Sequence, residues 1–150
     1  MEARTLPQDF REFFQFLNEE KVEYLLIGGW AVGVHGVIRY THDIDIWVAI
    51  DPANAQKIVR TLHRFGFTHG EASEAIFLEP GNVVRMGFPP MRIEITNQID
   101  GVEFSDCHSR RLIAQIDGLD IPVISLEDLL RNKRASNRLK DQADVESLTK

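Results

Sequence analysis

Leu25-Leu26-Ile27-Gly28-Gly29-Trp30-Ala31-Val32-Gly33-Val34-His35-Gly36, continued after a short link by Thr41-His42-Asp43-Ile44-Asp45-Ile46-Trp47-Val48, is the stretch that decides how this chain folds. An apolar run ends on a glycine pair, and a small-residue segment long enough for a short helix follows. A second strand-like run then carries two carboxylates two residues apart. Side chains alternate faces along a strand, so Asp43 and Asp45 share one face while Ile44 and Ile46 share the other. Two acids on one face repel each other, which favours a cation held between them. The glycines let backbone approach a ligand closely, and the amides that open a helix attract phosphate. Phosphate site and metal site thus come from adjacent pieces of chain, a pairing that suggests metal-assisted phosphoryl chemistry.

Upstream of this centre, Phe10, Phe13, Phe14 and Leu17 recur at helical spacing behind Asp9, which predicts a packing helix over residues 9–20. Residues 23–27 read as the first strand, 30–35 as a short helix stopped at Gly36, and 43–50 as the carboxylate strand. Asp51-Pro52 starts the next helix, with the acid as cap and proline in the first helical position. That helix buries Ala55, Ile58, Val59, Leu62 and Phe65, and Gly66 ends it. Short strands are expected at 75–78, 83–88 and 91–96, parted by Pro80-Gly81-Asn82 and Pro89-Pro90. In the last of them Ile93 and Ile95 share one face, and Arg92, Glu94 and Thr96 the other. Residues 105–116 leave helix and strand open, and 121–124 reads as a short edge strand. Ser125, with Asp128 three residues on, is close to a capping box and starts a helix presenting Leu126, Leu129 and Leu130 to the core. A turn at Asn137 leads to a final helix over 139–148.

Composition narrows the possibilities. With 150 residues and 43% apolar content, one domain spanning 1–150 is expected. The sequence has neither an apolar run of about 18 residues nor a signal-peptide layout, which predicts a cytoplasmic protein without a membrane partner. The single cysteine, Cys107, excludes an internal disulfide and a cysteine-based metal site. Its neighbour His108 does not make it a nucleophile, because adjacent residues do not place a base on a thiol. A net charge of −6 argues against broad nonspecific binding of nucleic acid. The charge is uneven, however: residues 131–150 carry six basic and three acidic side chains, and the rest carry eleven and twenty.

Glu94 raises the significance of the Asp-x-Asp pair. If its strand lies beside Asp43 and Asp45, three carboxylates gather on one face. Such a group suits magnesium or manganese, which also bind phosphates. Two such ions about 4 Å apart can bridge the attacking and leaving oxygens of an in-line displacement. His42 should share a face with Ile44 and pack. Trp47 reads as a core filler, and both it and Trp30 could stack a base. Lys133 reads equally as a helix-end cation or a phosphate ligand, and Lys140 as the partner of Asp144 one turn on.

The succession of apolar strand, Gly-Gly, short helix, Asp-x-Asp strand and later strand acid resembles the DNA polymerase β-type nucleotidyltransferase superfamily. Within it, the chain looks most like small bacterial nucleotidyltransferase-like proteins grouped with the AbiEii toxin family. Arg39-Tyr40-Thr41-His42-Asp43-Ile44-Asp45 is similar to that group's Arg-x-Thr-x-Asp-x-Asp. The segment from Asn132-Lys133 through Arg138-Leu139-Lys140-Asp141 to Asp144-Val145 is similar to its Asn-Lys-x-x-x-x-Arg-x-Lys-Asp-x-x-Asp-Val ending. The likeness spans nearly the whole chain.

This resemblance implies an α/β (α+β) nucleotidyltransferase fold: a small mixed sheet with helices packed on one side and a C-terminal helical pair. It implies that Gly28 and Gly29 cradle a triphosphate, such as that of ATP, with Arg39 and Thr41 nearby. Asp43 and Asp45 would hold two magnesium ions (or manganese). Glu94 would complete one metal site and take the acceptor's proton, while Lys133 and Lys140 pair with phosphates. Two positions differ from the pattern: Trp30 follows the glycine pair where serine is frequent, and Glu94 stands where aspartate is usual. The implied reaction moves a nucleoside monophosphate from a nucleoside triphosphate to a hydroxyl of an RNA, protein or small-molecule acceptor, releasing pyrophosphate. The alternatives are a catalytically degenerate module serving a toxin–antitoxin or other protein complex, and a metal-dependent phosphodiesterase. Little chain is left over for an acceptor site, so a protein partner or second copy is expected to help form it.

Overall fold

A computed structural model describes residues 6–37, 43–67, 73–88 and 91–150, with the side chains of Phe88 and Met91 excepted. Arg39, Thr41 and His42 lie outside the described residues. Along the chain run α1 (Gln8–Glu19), β1 (Tyr24–Ile27), α2 (Gly28–Val34), β2 (Asp43–Val48), α3 (Pro52–Arg64), α4 (Glu74–Leu78), β3 (Val83–Phe88) and β4 (Met91–Thr96). They are followed by α5 (Phe104–Ser109), β5 (Leu112–Ile116), β6 (Leu119–Val123), α6 (Leu126–Ser136) and α7 (Leu139–Leu148).

The six strands form one mixed sheet in the order β3-β4-β2-β1-β6-β5. β1 runs antiparallel to β2, and β2 parallel to β4, so the glycine-ended strand and the two acid-bearing strands are neighbours at its centre. Tyr24, Leu26, Ile44, Ile46, Ile93 and Ile95 line one face and are buried. On this face Phe14 of α1 packs on Tyr24, with ring centroids 6.1 Å apart, and Phe13 meets Phe65, just beyond α3, edge to face at 5.1 Å. α1 and α3 therefore cover the apolar face. The opposite face is covered in part by the shorter α5, whose Phe104 stands edge-on to Trp47 at 5.1 Å. Trp47 is 1% exposed and fills core, as its place in the strand predicts.

Three readings of the sequence change. Residues 75–78 belong to α4 and not to a strand. Five residues are too few for periodicity to tell the two apart, and Glu74, Ala75 and Leu78 all favour helix. β6 is an interior strand, flanked by β1 and β5, and the edges are β3 and β5. Pro122 is tolerated there because β6 meets β1 only at Leu26↔Val123. Ile124 donates to the Leu26 carbonyl at 3.2 Å, so the nitrogen of Pro122, two residues earlier, falls where that ladder has not begun. In α6 only Leu129 of the three leucines is fully buried, while Leu126 is exposed. The inward place is taken by Asp128, 0% exposed, which accepts from Arg110 at 2.9 and 3.1 Å and from Arg131 at 2.7 Å. The open segment 105–116 divides into α5 and β5.

Caps follow the sequence. The Asp51 side chain accepts from the Asn54 amide at 3.0 Å with Pro52 in the first turn of α3, and the Ser125 side chain accepts from the Asp128 amide at 3.2 Å. Asn54 is 2% exposed; its side chain accepts from the Glu23 amide and donates to the Glu23 and Ala49 carbonyls at 2.8–3.1 Å. One side chain thus ties the start of β1 to the end of β2. Asn54→Ala leaves those buried groups unpaired and is expected to cost about 2–3 kcal/mol, lowering Tm by about 4–10 °C. Thermal unfolding checks this.

Candidate active site

The register of β2 with its neighbours assembles the acids. Asp45 lies opposite Ile27 of β1 on one side and Glu94 of β4 on the other, and Asp43 lies opposite Arg92. All project from the face that α1 and α3 leave uncovered. The sequence places Asp43, Asp45 and Glu94 together, and the fold does so on adjacent strands.

Gly28 closes the site from the β1 side. It adopts φ +70°, a left-handed conformation that glycine reaches without a Cβ penalty. A Cβ built there would lie 2.2 Å from Asp45 Oδ2 and 2.8 Å from its Cγ, so the Asp45 carboxylate rests directly on the glycine. Gly29 continues into α2, which begins at Gly28 itself rather than at Trp30.

The electrostatics set Asp45 apart. Burial, followed by the charges of Glu94 and Asp43, pushes its carboxyl up to about 6, against the opposing pull of Lys140 and Lys133. Both predicted lysines therefore act on the same carboxylate. Lys140 is exposed and joins no ion pair among the described residues. Lys133 is 6% exposed and its ammonium lies 2.9 Å from Asp144 Oδ2 and 3.1 Å from Asp141 Oδ1. Asp144 thus turns to Lys133, and not to Lys140 as helix spacing alone suggests. Asp141 and Asp144 lie three apart on the buried side of α7, whereas Lys140 looks outward.

Two arginines escape a reading of the acids alone. Arg85 Nε donates to Glu94 Oε1 at 2.9 Å, and Arg92 Nε stands 3.9 Å from Asp43 Oδ1. Alternation in β3 and β4 could have identified both, since each shares the face of Glu94. With Glu94 turned toward Arg85, no three or more Asp, Glu, His or Cys side chains among the described residues form a ready-made metal cluster. The donor chemistry nonetheless suits a hard cation: carboxylate oxygens on neighbouring strands, with the Asp45 carboxyl pushed up to about 6 by burial first and then by the charges of Glu94 and Asp43. Cys107 is 0% exposed and its thiol is pushed up to about 12, by burial first and then by Asp128, which leaves no thiolate for chemistry at neutral pH.

Asp141 behaves oppositely to Asp45. Burial alone would raise its carboxyl, but hydrogen bonds from Ser136 and Lys133, together with Arg138 at 2.9 Å, hold it down to about 2. A depressed folded value contributes stability above the unfolded value near 4 that disappears as pH falls toward 2. The contribution is about 2 kcal/mol. Between pH 4 and 2 the wild type should therefore lose more stability than Asp141→Asn, as urea unfolding at each pH will register.

The model of the family described as nucleotidyltransferase of unknown function (DUF6036) matches residues 5–149. No curated protein matches the chain. Among solved structures, a lincosamide antibiotic adenylyltransferase, LnuA, in its lincomycin-bound form, aligns with a TM-score of 0.62 at 20% identity over 98% of each chain. A nucleotidyltransferase candidate from Thermotoga maritima aligns with a TM-score of 0.59 at 23% identity, covering 95% of this chain and 89% of that one. An antigenic nucleotidyltransferase-like protein from Paracoccidioides brasiliensis aligns at 0.56 and 17% identity, over 93% and 74%. At these identities the likeness is one of fold. No helix among the described residues is long and apolar enough to cross a membrane.

Proposed function

The chain belongs to that family of nucleotidyltransferases, and from this premise we propose that it transfers a nucleoside monophosphate from a nucleoside triphosphate to an acceptor hydroxyl, with magnesium or manganese as cofactor. The observation that carries the reading is the lateral alignment of Asp45 with Glu94, Asp43 beside them, and Gly28 in contact with the Asp45 carboxylate. Asp43, Asp45 and Glu94 are the groups that would hold the metal. When bound, it would neutralise charge on the triphosphate and on the phosphoryl group in transit. Glu94, partly exposed, takes the proton of the acceptor hydroxyl as its oxygen bonds to the α-phosphorus and pyrophosphate departs. Gly28 and Gly29 supply a backbone surface without side chains against which the triphosphate lies, and Lys140 provides an exposed cation for its outer phosphates. Arg39 and Thr41, next to Asp43 in sequence, belong to the same nucleotide site.

The acceptor is an RNA, a protein or a small molecule bearing a hydroxyl. LnuA, named for adenylylation of lincosamides, makes a small molecule the first class to test. Incubation with each α-labelled triphosphate, magnesium and separate pools of RNA, protein and hydroxylated antibiotics should release pyrophosphate and label one pool. Turnover of a phosphodiester that needs no triphosphate and releases no pyrophosphate would point instead to a phosphodiesterase. A second reading, a non-catalytic module in a toxin–antitoxin or other protein complex, is favoured by one observation: Glu94 is paired with Arg85 and Asp43 faces Arg92. Under that reading no pool is labelled with any triphosphate.

A further inference from the structure

α7 is held to the protein in an unusual way. Its buried side chains are Asp141 and Asp144; Leu148 is only partly buried against the core, and Leu139 at its start is 84% exposed. Apolar packing alone does not dock this helix. Both acids converge on the one ammonium of Lys133 in α6, at 3.1 and 2.9 Å. The turn between the two helices is short and closed: Asn137 caps α6 in the left-handed conformation (φ 55°), Gln142 donates to its side-chain oxygen at 2.8 Å, and Ser136 and Arg138 both bond Asp141. A lysine so enclosed gives two of its three N–H groups to buried carboxylates, and drawing it away to a phosphate would strip both acids of the ammonium they share, leaving Asp141 to the largely exposed Arg138. Lys140, one position before Asp141, is exposed, and its charge lies near enough to the acids to favour the Asp45 carboxylate.

We infer that Lys133 is a positioning residue and not a phosphate ligand: by clamping Asp141 and Asp144 it fixes α7 so that Lys140 alone presents its ammonium to the triphosphate. The inference rests on the nucleotide-transfer reading and names which of the two lysines meets the nucleotide. It predicts that the ammonium of Lys133 is dispensable once the two acids it neutralises are also made neutral. Lys140 has no such substitute.

The test compares the wild type, Lys133→Met, Lys140→Met and the triple variant Lys133→Met/Asp141→Asn/Asp144→Asn. Two readouts are used: calorimetric binding of ATP with magnesium, and hydrogen exchange of the amides of residues 139–148. Lys133→Met should speed exchange in α7 and weaken ATP binding about tenfold or more, the loss expected for a charge-assisted phosphate contact. Lys140→Met should weaken binding to the same degree with α7 exchange unchanged. The triple variant should recover slow exchange and bind ATP within about threefold of wild type, since one decade of affinity separates the two states. A triple variant with slow exchange but binding as weak as Lys133→Met would overturn the inference, making Lys133 a direct ligand. Slow exchange in Lys133→Met itself would also overturn it, because α7 would then not depend on the clamp. Absence of ATP binding by the wild type is a different failure and removes the nucleotide-transfer reading with it.

Discussion

Asp45→Asn is expected to stop nucleotide transfer and, in the absence of metal, to make the folded chain more stable. The carboxylate sits against Gly28, beside Glu94 and near Asp43, where burial and like charge push its carboxyl up to about 6. In the unfolded chain the same group titrates near 4. The folded state therefore binds the extra proton between these values, and its stability falls as pH rises from about 4 to about 6. Two pH units correspond to roughly 3 kcal/mol, which the neutral asparagine does not lose. Transfer should drop by at least about 10²–10³-fold, the scale on which removal of one preorganised charge-stabilising group acts. Urea unfolding without divalent ions should show the two proteins alike near pH 4 and the variant ahead by about 3 kcal/mol at pH 8. A variant less stable than wild type at pH 8 would mean that Asp45 is stabilised as a charge, by a group other than a bound cation.

Gly28→Ala should be the most damaging small substitution in the site. The added methyl meets Asp45 Oδ2 at 2.2 Å and its Cβ at 2.9 Å, so moving the carboxylate alone does not relieve the clash and β2 itself must shift. A left-handed φ of +70° adds backbone strain for alanine. Together these are expected to cost about 2–4 kcal/mol, combining overpacking with the strained backbone. Displacing β2 also disturbs the Asp45–Glu94 alignment, so magnesium-dependent nucleotide binding should weaken by more than tenfold, which is about 1.4 kcal/mol. In an Asp45→Ala background, which removes the carboxyl but keeps the Cβ, the stability cost should fall by about half, the non-additivity expected of residues in contact. Equal costs in both backgrounds would contradict the contact.

The sheet centre was legible because its signals are local and redundant. A glycine pair ending an apolar run, alternation through Asp43-Ile44-Asp45-Ile46 and again through Ile93-Glu94-Ile95, and the Asp51-Pro52 cap each specify one element and one face. The less legible parts depend on contacts between distant residues. Asp128 reads as a capping-box acid, and only the fold reveals Arg110 and Arg131 around it, with Leu126 left outside. Residues 121–124 read as an edge strand, and the interior place of β6 depends on how little of it β1 reaches. Lys140 and Asp144 have the spacing of a helix pair, but the burial of α7 against Lys133 redirects the acid. Arg85 lies nine residues from Glu94 in sequence and becomes its neighbour only through the β3–β4 register.

The measurement that tests the central claim most directly is calorimetric titration of each nucleoside triphosphate with magnesium onto the wild type and onto the double variant Asp43→Ala/Asp45→Ala. Binding by the wild type should require magnesium and should be lost in the double variant, whose fold stays intact by circular dichroism. No binding by the wild type at millimolar nucleotide, or equal binding by both proteins, would contradict the claim.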